Sequence, residues 1–460
     1  MIKMVLMRLS RRPWKFLFPV LLLFFFALTI SRSGQPTHEA KPYYKTRTKS
    51  YFPPQKSKTS SVDPDYCGSF PKHLLDDIQI TLKTEGASRE QTKRHLETVS
   101  SCITNLIIVS DHEEKIGDYH VIDVLADLRA SYAVNNTDFQ AYLEQKKALS
   151  EGDTLTLTKK HKLDRFKFLP MVDKAYEMNR KAKWYVFLES DVYFFWDTLF
   201  RLLDQHDYSE PHYFGDGRKS GDKRFGSSGA GFVLSQGLVK SLLPPKPTGG
   251  VIKLSDRYEQ LAKDDCCGDQ VLAKAIYNAT EIHLEGLYPT FSGESLKSLK
   301  VDKDKWCVPL LSIHHVDPAD MEAIWKWERT RTYNTKPLVY SSLLAYTHSF
   351  LREGASKEWW DNLSVAPVPN DRPAHRNSGS CGSECGIDGN CLQWSYSQTV
   401  CRHANYIKLG NAVDRENGGQ GEFVSGWDLG KMKQLGFKTD QESDINDTCE
   451  EATWLTPVKE

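Results

Sequence analysis

The sequence predicts an α/β protein with a mostly parallel central sheet, followed by a small disulfide-rich C-terminal module. Three observations carry that reading. Short apolar runs rich in β-branched and aromatic residues alternate with amphipathic stretches. Several of these runs end in acid, at the strand end where open α/β sheets bind ligands. Ten cysteines are divided evenly, five before residue 310 and five after residue 380.

A chain of 460 residues is too long for one small domain and fits two folded units with tails. Sixty basic and sixty acidic residues cancel, so no global field favours nucleic acid, and no nucleic-acid partner is expected.

At the amino terminus, Lys3, Arg8, Arg11, Arg12 and Lys15 precede an apolar run from Phe16 to Ile30. Residues 1–12 are expected as a cytoplasmic tail and 13–30 as a signal anchor, with the remainder across the membrane. A cleaved signal peptide is the alternative. Residues 31–66, rich in Ser, Thr, Lys and Pro, read as a flexible stem. Sequons at Asn135, Asn278, Asn362 and Asn446 agree with a lumenal destination, where disulfides are the default for cysteine and zinc the alternative.

The catalytic body is expected over 67–350. Asp77–Thr84 alternates like a strand, and Ser88–Val99 looks helical with Ser88 as N-cap. Asn105–Asp111 is a second strand, and Cys67 and Cys102 flank this first strand–helix pair. Arg165–Lys183 is expected to be a helix leading into the strand at Tyr185. Further helices are predicted over Thr198–Gln205 and over Gln236–Leu243, the latter ended by Pro244-Pro245. Residues 351–380, with many Pro, Asn and Arg, read as a linker, and 381–460 as the cysteine-rich module. Full pairing of the cysteines requires at least one bridge between the body and this module.

Four constellations carry chemistry. Trp184–Asp197 is a greasy strand ending in Glu189 and Asp191, two carboxylates suited to a hard divalent cation that would hold a diphosphate. Capping by Glu189 and solvation of Asp191 is the plainer reading. Gly226, Gly229 and Gly231 let the backbone approach a ligand closely, or simply make a tight turn; no P-loop pattern follows. Asp264, Asp265 and Asp269 precede an apolar helical run, as a proton acceptor or as helix caps. His314 and His315 offer imidazole to an ion already held by carboxylate, with Trp306, Trp325 and Trp327 as sugar platforms or as core.

Taken in order, these motifs resemble the fringe-like family 31 glycosyltransferases, which include β1,3-galactosyltransferases and the core 1 enzyme, with the greatest likeness to the fungal branch. The likeness covers roughly residues 75–330. Trp184–Tyr193 is similar to the family's strand and Asp-x-Asp motif, although Glu189 and Ser190 stand where acids usually do. Gly229-Ala230-Gly231 resembles the segment that lines the active site, with Ser228 in place of its first glycine. Asp265 matches the presumed catalytic base, and Asp269 is a rival because Cys266-Cys267 departs from the usual spacing. Ser312-Ile313-His314 matches the segment supplying a metal-binding histidine.

The resemblance implies a GT-A nucleotide-diphosphosugar transferase fold, with Mn2+ or another divalent cation on Asp191 and His314. It implies donor contacts at Lys83, Asp111, Glu189, Gly229, Ala230 and Gly231. The expected reaction is inverting transfer of galactose or N-acetylglucosamine from a UDP-sugar to a glycan or glycoprotein hydroxyl, forming a β1,3 linkage. The expected setting is the Golgi membrane, single-pass and type II. The C-terminal cysteines resemble a degenerate PAN/apple module, which either orients an acceptor or packs as a stapled cap. The rival expectation is a non-catalytic, membrane-tethered glycan-binding protein with a decayed transferase body.

Overall fold

The computed structural model describes residues 66–151, 162–220, 223–330, 337–346, 351, 355–415, 423–436, 449 and 451–457. All of them fall within one compact unit. The predicted tail, anchor and stem up to residue 65, and the sequon at Asn446, lie outside the described residues. Among the described residues no helix is long and apolar enough to cross a membrane.

The first strand, β1 (Ile78–Lys83), is buried along its whole length, with Ile80 and Leu82 fully enclosed. It runs parallel to β2 (Leu106–Ser110) on one side and to β5 (Trp184–Glu189) on the other. β2 in turn runs parallel to β4 (Tyr119–Asp123), whose partner β3 (Glu114–Ile116) closes that edge. Both faces of these central strands are covered, so β2 and β5 read as apolar runs, while β1 alternates and buries Gln79, Thr81 and Lys83 on its second face.

The other half of the sheet contains β7 (Tyr213–Gly215), β10 (Phe232–Ser235) and β11 (Glu285–Gly286), giving eight strands in the order β11-β7-β10-β5-β1-β2-β4-β3. β10 is antiparallel to both of its neighbours, so the sheet is mixed but mostly parallel. Two short pairs lie outside it. One joins β6 (Tyr193–Phe194) to β12 (Ser312–Ile313), and the other joins β8 (Gly217–Ser220) to β9 (Lys223–Gly226).

The helices that position the site are α1 (Arg89–Glu97), α2 (Thr137–Ser150), α3 (Asp164–Met178), α4 (Trp196–Leu203), α5 (Gln236–Leu242), α6 (Gly268–Thr280) and α7 (Pro318–Thr330). The expected helices are present with shifted ends. Ser88 stands at the start of α1, but its side chain does not cap it; its carbonyl accepts the Thr92 hydroxyl instead. Trp306 is buried in the core, and Trp325 and Trp327 are half-buried against it, so these tryptophans pack rather than form an open platform.

The C-terminal part is a five-stranded antiparallel sheet in the order β13-β19-β16-β17-β15. Its strands are β13 (Ser356–Glu358), β15 (Ala366–Pro367), β16 (Gln393–Ser397), β17 (Val400–Ala404) and β19 (Phe423–Trp427). A side pair joins β14 (Trp360–Asp361) to β18 (Asn411–Ala412). Residues 356–367, expected within a linker, therefore supply strands of this sheet. The helix α8 (Ser378–Ile387) is bridged to β17 by Cys381–Cys401, and Cys385 pairs with Cys391.

This sheet packs on the body. Val301 and Ile407 exchange backbone hydrogen bonds of 2.9 and 2.7 Å, and Leu392, Ile407 and Trp427 join the body's core. Cys307–Cys449 links the two covalently, as the cysteine division requires, and Cys67–Cys102 staples the first strand–helix pair. All ten cysteines are in disulfides, which removes the zinc alternative for them.

Candidate active site

The acid end of β5 and the histidine pair are brought together by backbone pairing. β6 follows the Asp191 turn and lies antiparallel to β12, with Tyr193 opposite Ile313 and Phe194 opposite Ser312. The residues just beyond that pairing, Asp191 and His314, must then meet. Val316 N–H donates to the Asp191 carbonyl at 3.0 Å and locks the two loops. Asp191 Oδ2 lies 3.3 Å from His314 Nε2 and 3.4 Å from His315 Nδ1. Burial alone would raise the Asp191 carboxyl, but the two imidazoles offset it and hold it below its ordinary value. The ligand atoms of Asp191, His314 and His315 all lie within 4.8 Å of one another. One carboxylate and two imidazoles are a donor set suited to a divalent ion of the manganese type. The structure thus places both histidines at Asp191, and His315 reaches it with a left-handed backbone, φ 52°.

The glycine-rich segment forms the wall beside this cluster. Ser228–Ala230 is a single 3-10 turn between β9 and β10, and Gly231 leaves it with φ 72°. Gly229 lies against the His314 ring so closely that an added Cβ would overlap the imidazole. The Ala230 carbonyl accepts the Ser312 hydroxyl at 2.7 Å, tying the turn to β12. The glycines thus make a tight turn ahead of β10, and what Gly229 approaches closely is the His314 ring.

The two candidate bases have different surroundings. Asp265 is paired with the Lys274 ammonium and accepts the Cys266 N–H at 2.8 Å. Asp269 lies in the first turn of α6, accepts the Gln270 N–H at 2.8 Å, and belongs to the helix that packs on β9, the strand leading into the Ser228 turn. Burial, reinforced by the Asp164 charge, pushes its carboxyl up to about 6, against the pull of the Gln270 N–H, Lys83 and Ser228. A carboxylate near 6 is poised for proton transfer close to neutral pH.

The third part of the site is a knot of charge behind Glu189. Lys83 is buried, pairs with Asp164, and lies 3.1 Å from Glu189. Burial alone would lower its pKa, but Asp164 and Glu189 raise it well above its ordinary value. Lys167, also buried, donates to the Thr84 carbonyl at 3.2 Å and lies 3.5 Å from Asp164 and 4.0 Å from Asp111. Asp111 accepts the Gly86 N–H at 3.2 Å. Lys83, Asp111 and Glu189 are therefore brought into one cluster, with the Lys83 ammonium engaged by carboxylates. Glu85 belongs here too, its carboxyl raised by burial against the pull of Lys167.

Asp164, Lys167 and Glu85 were not singled out from the sequence. The available signal was the spacing of Asp164 and Lys167, three apart on one face of a helix that precedes the acid strand. Ser190, where the motif would carry an acid, is buried and receives a 3.4 Å hydrogen bond from Thr84.

A family model described as Fringe-like matches residues 134–303, a span that includes Asp191, the glycine turn and Asp269. Lys83, Asp111 and His314 lie outside it. No curated protein matches the chain. Residues 134–303 are thus similar to a Fringe-like domain, and they lie in a mixed α/β body with a large, mostly parallel sheet.

Proposed function

We propose that the protein is a metal-dependent, inverting glycosyltransferase of GT-A fold that transfers a hexose from a UDP-sugar to a hydroxyl of a glycan or glycoprotein. The observation that carries this reading is the convergence of three separate segments: Asp191 with His314, the Gly229 turn, and Asp269. Asp191 and His314, with His315 beside them, would hold Mn2+ or a similar cation. Such an ion supplies positive charge to the leaving diphosphate.

Asp269 accepts the proton of the acceptor hydroxyl as its oxygen attacks the anomeric carbon. The carbon–oxygen bond to the diphosphate breaks on the opposite face, and UDP leaves with that electron pair. What supports Asp269 over Asp265 is its raised pKa and its place beside Gly229, while Asp265 is neutralised by Lys274. The Gly229–Gly231 backbone gives the donor room, and Lys83 holds Glu189 and Asp164 in place at the donor end. The burial and hydrogen bonding of Ser190 support an intact site without a middle acid, against the reading of a decayed body.

Galactose or N-acetylglucosamine as donor sugar and a β1,3 linkage remain part of this proposal, as does a type II position in the Golgi membrane. Five disulfides support an oxidising compartment. The bridged sheet after residue 356 is proposed to be a PAN/apple-like cap on the catalytic body.

The test is UDP release by the full-length chain with UDP-galactose, UDP-GlcNAc and UDP-glucose, with and without Mn2+. Metal-dependent release that Asp191→Ala abolishes is expected. No release with any donor, together with no metal-dependent UDP binding, would sink the proposal.

A further inference from the structure

The Cys266–Cys267 bond joins adjacent residues, with Cα atoms 3.8 Å apart. The other four bridges span 6 to 142 residues and tie separate elements together. In the chain-entropy account a bridge stabilises according to the loop it closes, and this one closes almost none. Its effect is local. It ties both side chains into one small ring and restricts the backbone at residues 266 and 267.

That ring stands where α6 begins. Cys267 occupies the N-cap position and makes no side-chain hydrogen bond to the first turn. Ser, Thr, Asp or Asn ordinarily does that work. The two residues that flank the ring are each held by a neighbour. Asp265 on one side is pinned to Lys274, a residue within α6. Gly268 on the other is pressed against Phe168, where an added Cβ would overlap the ring. Phe168 itself lies under the Lys83 ammonium, 4.6 Å from the ring centre. The next residue is Asp269, in a helix that packs on β9, the strand leading into the Ser228–Gly229 turn.

We infer that the Cys266–Cys267 disulfide is a positioning element that fixes the start of α6, so that Asp269 faces the Ser228–Gly229 turn. The inference rests on the transferase reading and adds to it the group that aims the base. It also accounts for the unusual cysteine pair between the two candidate acids: the ring takes the place of a capping side chain. Cys266 is exposed and Cys267 half-buried, so the ring itself borders solvent.

The test uses the full-length chain with Cys266→Ser/Cys267→Ser, with Cys266→Ala/Cys267→Ala as a second pair, each alone and combined with Asp269→Asn. Both pairs are expected to lower turnover by about tenfold to a hundredfold while Mn2+-dependent UDP affinity stays within about twofold. Amide exchange over residues 268–272 should speed up in both. In the Asp269→Asn background either pair should cost nothing further, because its effect passes through that carboxylate.

Unchanged turnover, unchanged exchange, losses that multiply with Asp269→Asn, or a parallel fall in UDP affinity would each overturn the inference. Wild-type protein that releases no UDP would instead bring down the transferase reading, and the role of the bridge with it.

Discussion

Gly229 lies flat against the His314 ring, with no room for a Cβ between them. The absence of a side chain at one residue thus sets the position of an imidazole more than eighty residues away. Gly229→Ala is expected to displace His314 from Asp191 and reduce turnover by about a hundredfold, the scale of a misplacement near 1 Å. Titration with UDP in the presence and absence of Mn2+ checks it: the variant should lose metal-dependent binding while its circular dichroism matches wild type.

Asp269→Asn should remove about two to four powers of ten in turnover, and Asp265→Asn less than about one. Because burial raises the Asp269 carboxyl to about 6, the active, ionised form accumulates as pH rises. The pH profile of kcat/KM should therefore climb through about 6 and level off above it. A larger loss at Asp265 would return the base to that residue.

His95 is fully buried. Its Nε2 lies 3.1 Å from the Val192 carbonyl and its Nδ1 3.1 Å from the Ser100 hydroxyl. Burial lowers its pKa to about 4, from 6.5 in the unfolded chain. The unfolded state therefore takes up this proton first as pH falls. Stability present above 6.5 should decline toward pH 4 by about 3 kcal/mol from this group. Urea melts at pH 7 and pH 4.5 measure the decline, and His95→Gln should make it shallower.

The sequons are not equivalent. Asn135 and Asn278 are exposed, whereas Asn362 is wholly buried and donates to the Trp394 and Gly426 carbonyls at 3.0 and 3.1 Å. In a lumenal protein, glycans should be found on Asn135 and Asn278 and not on Asn362. Peptide mass spectrometry before and after glycan removal reads this directly.

Cys307–Cys449 encloses 142 residues and Cys385–Cys391 only 6. Chain entropy assigns them about 5 and about 2 kcal/mol. Cys307→Ser/Cys449→Ser should thus lower the denaturation midpoint more than Cys385→Ser/Cys391→Ser, and equal shifts would contradict the ordering.

Much of the body was legible because buried parallel strands cannot hide. Leu106–Ser110 and Trp184–Glu189 are apolar on both faces, Ile78–Lys83 alternates, and their polar ends fall where the sheet opens. The joining of Asp191 to His314 was legible only through motif order; its physical cause, the pairing of Tyr193–Phe194 with Ser312–Ile313, involves strands too short to leave a pattern. Ser356–Glu358 and Ala366–Pro367 escaped notice for the same reason, since their pairing partners and not their composition make them strands. The choice between Asp265 and Asp269 depends on Lys274, which reaches Asp265 only once α6 has formed.

The Cys307–Cys449 bond also bears on how the molecule is made. A chain emerging in order exposes Cys307 142 residues before its mate exists, so the body carries an unsatisfied thiol until residue 449 is made. Any product ending before residue 449 would keep that thiol. Until residue 449 has been added, Cys307 is therefore open to alkylating reagents that the finished bond excludes.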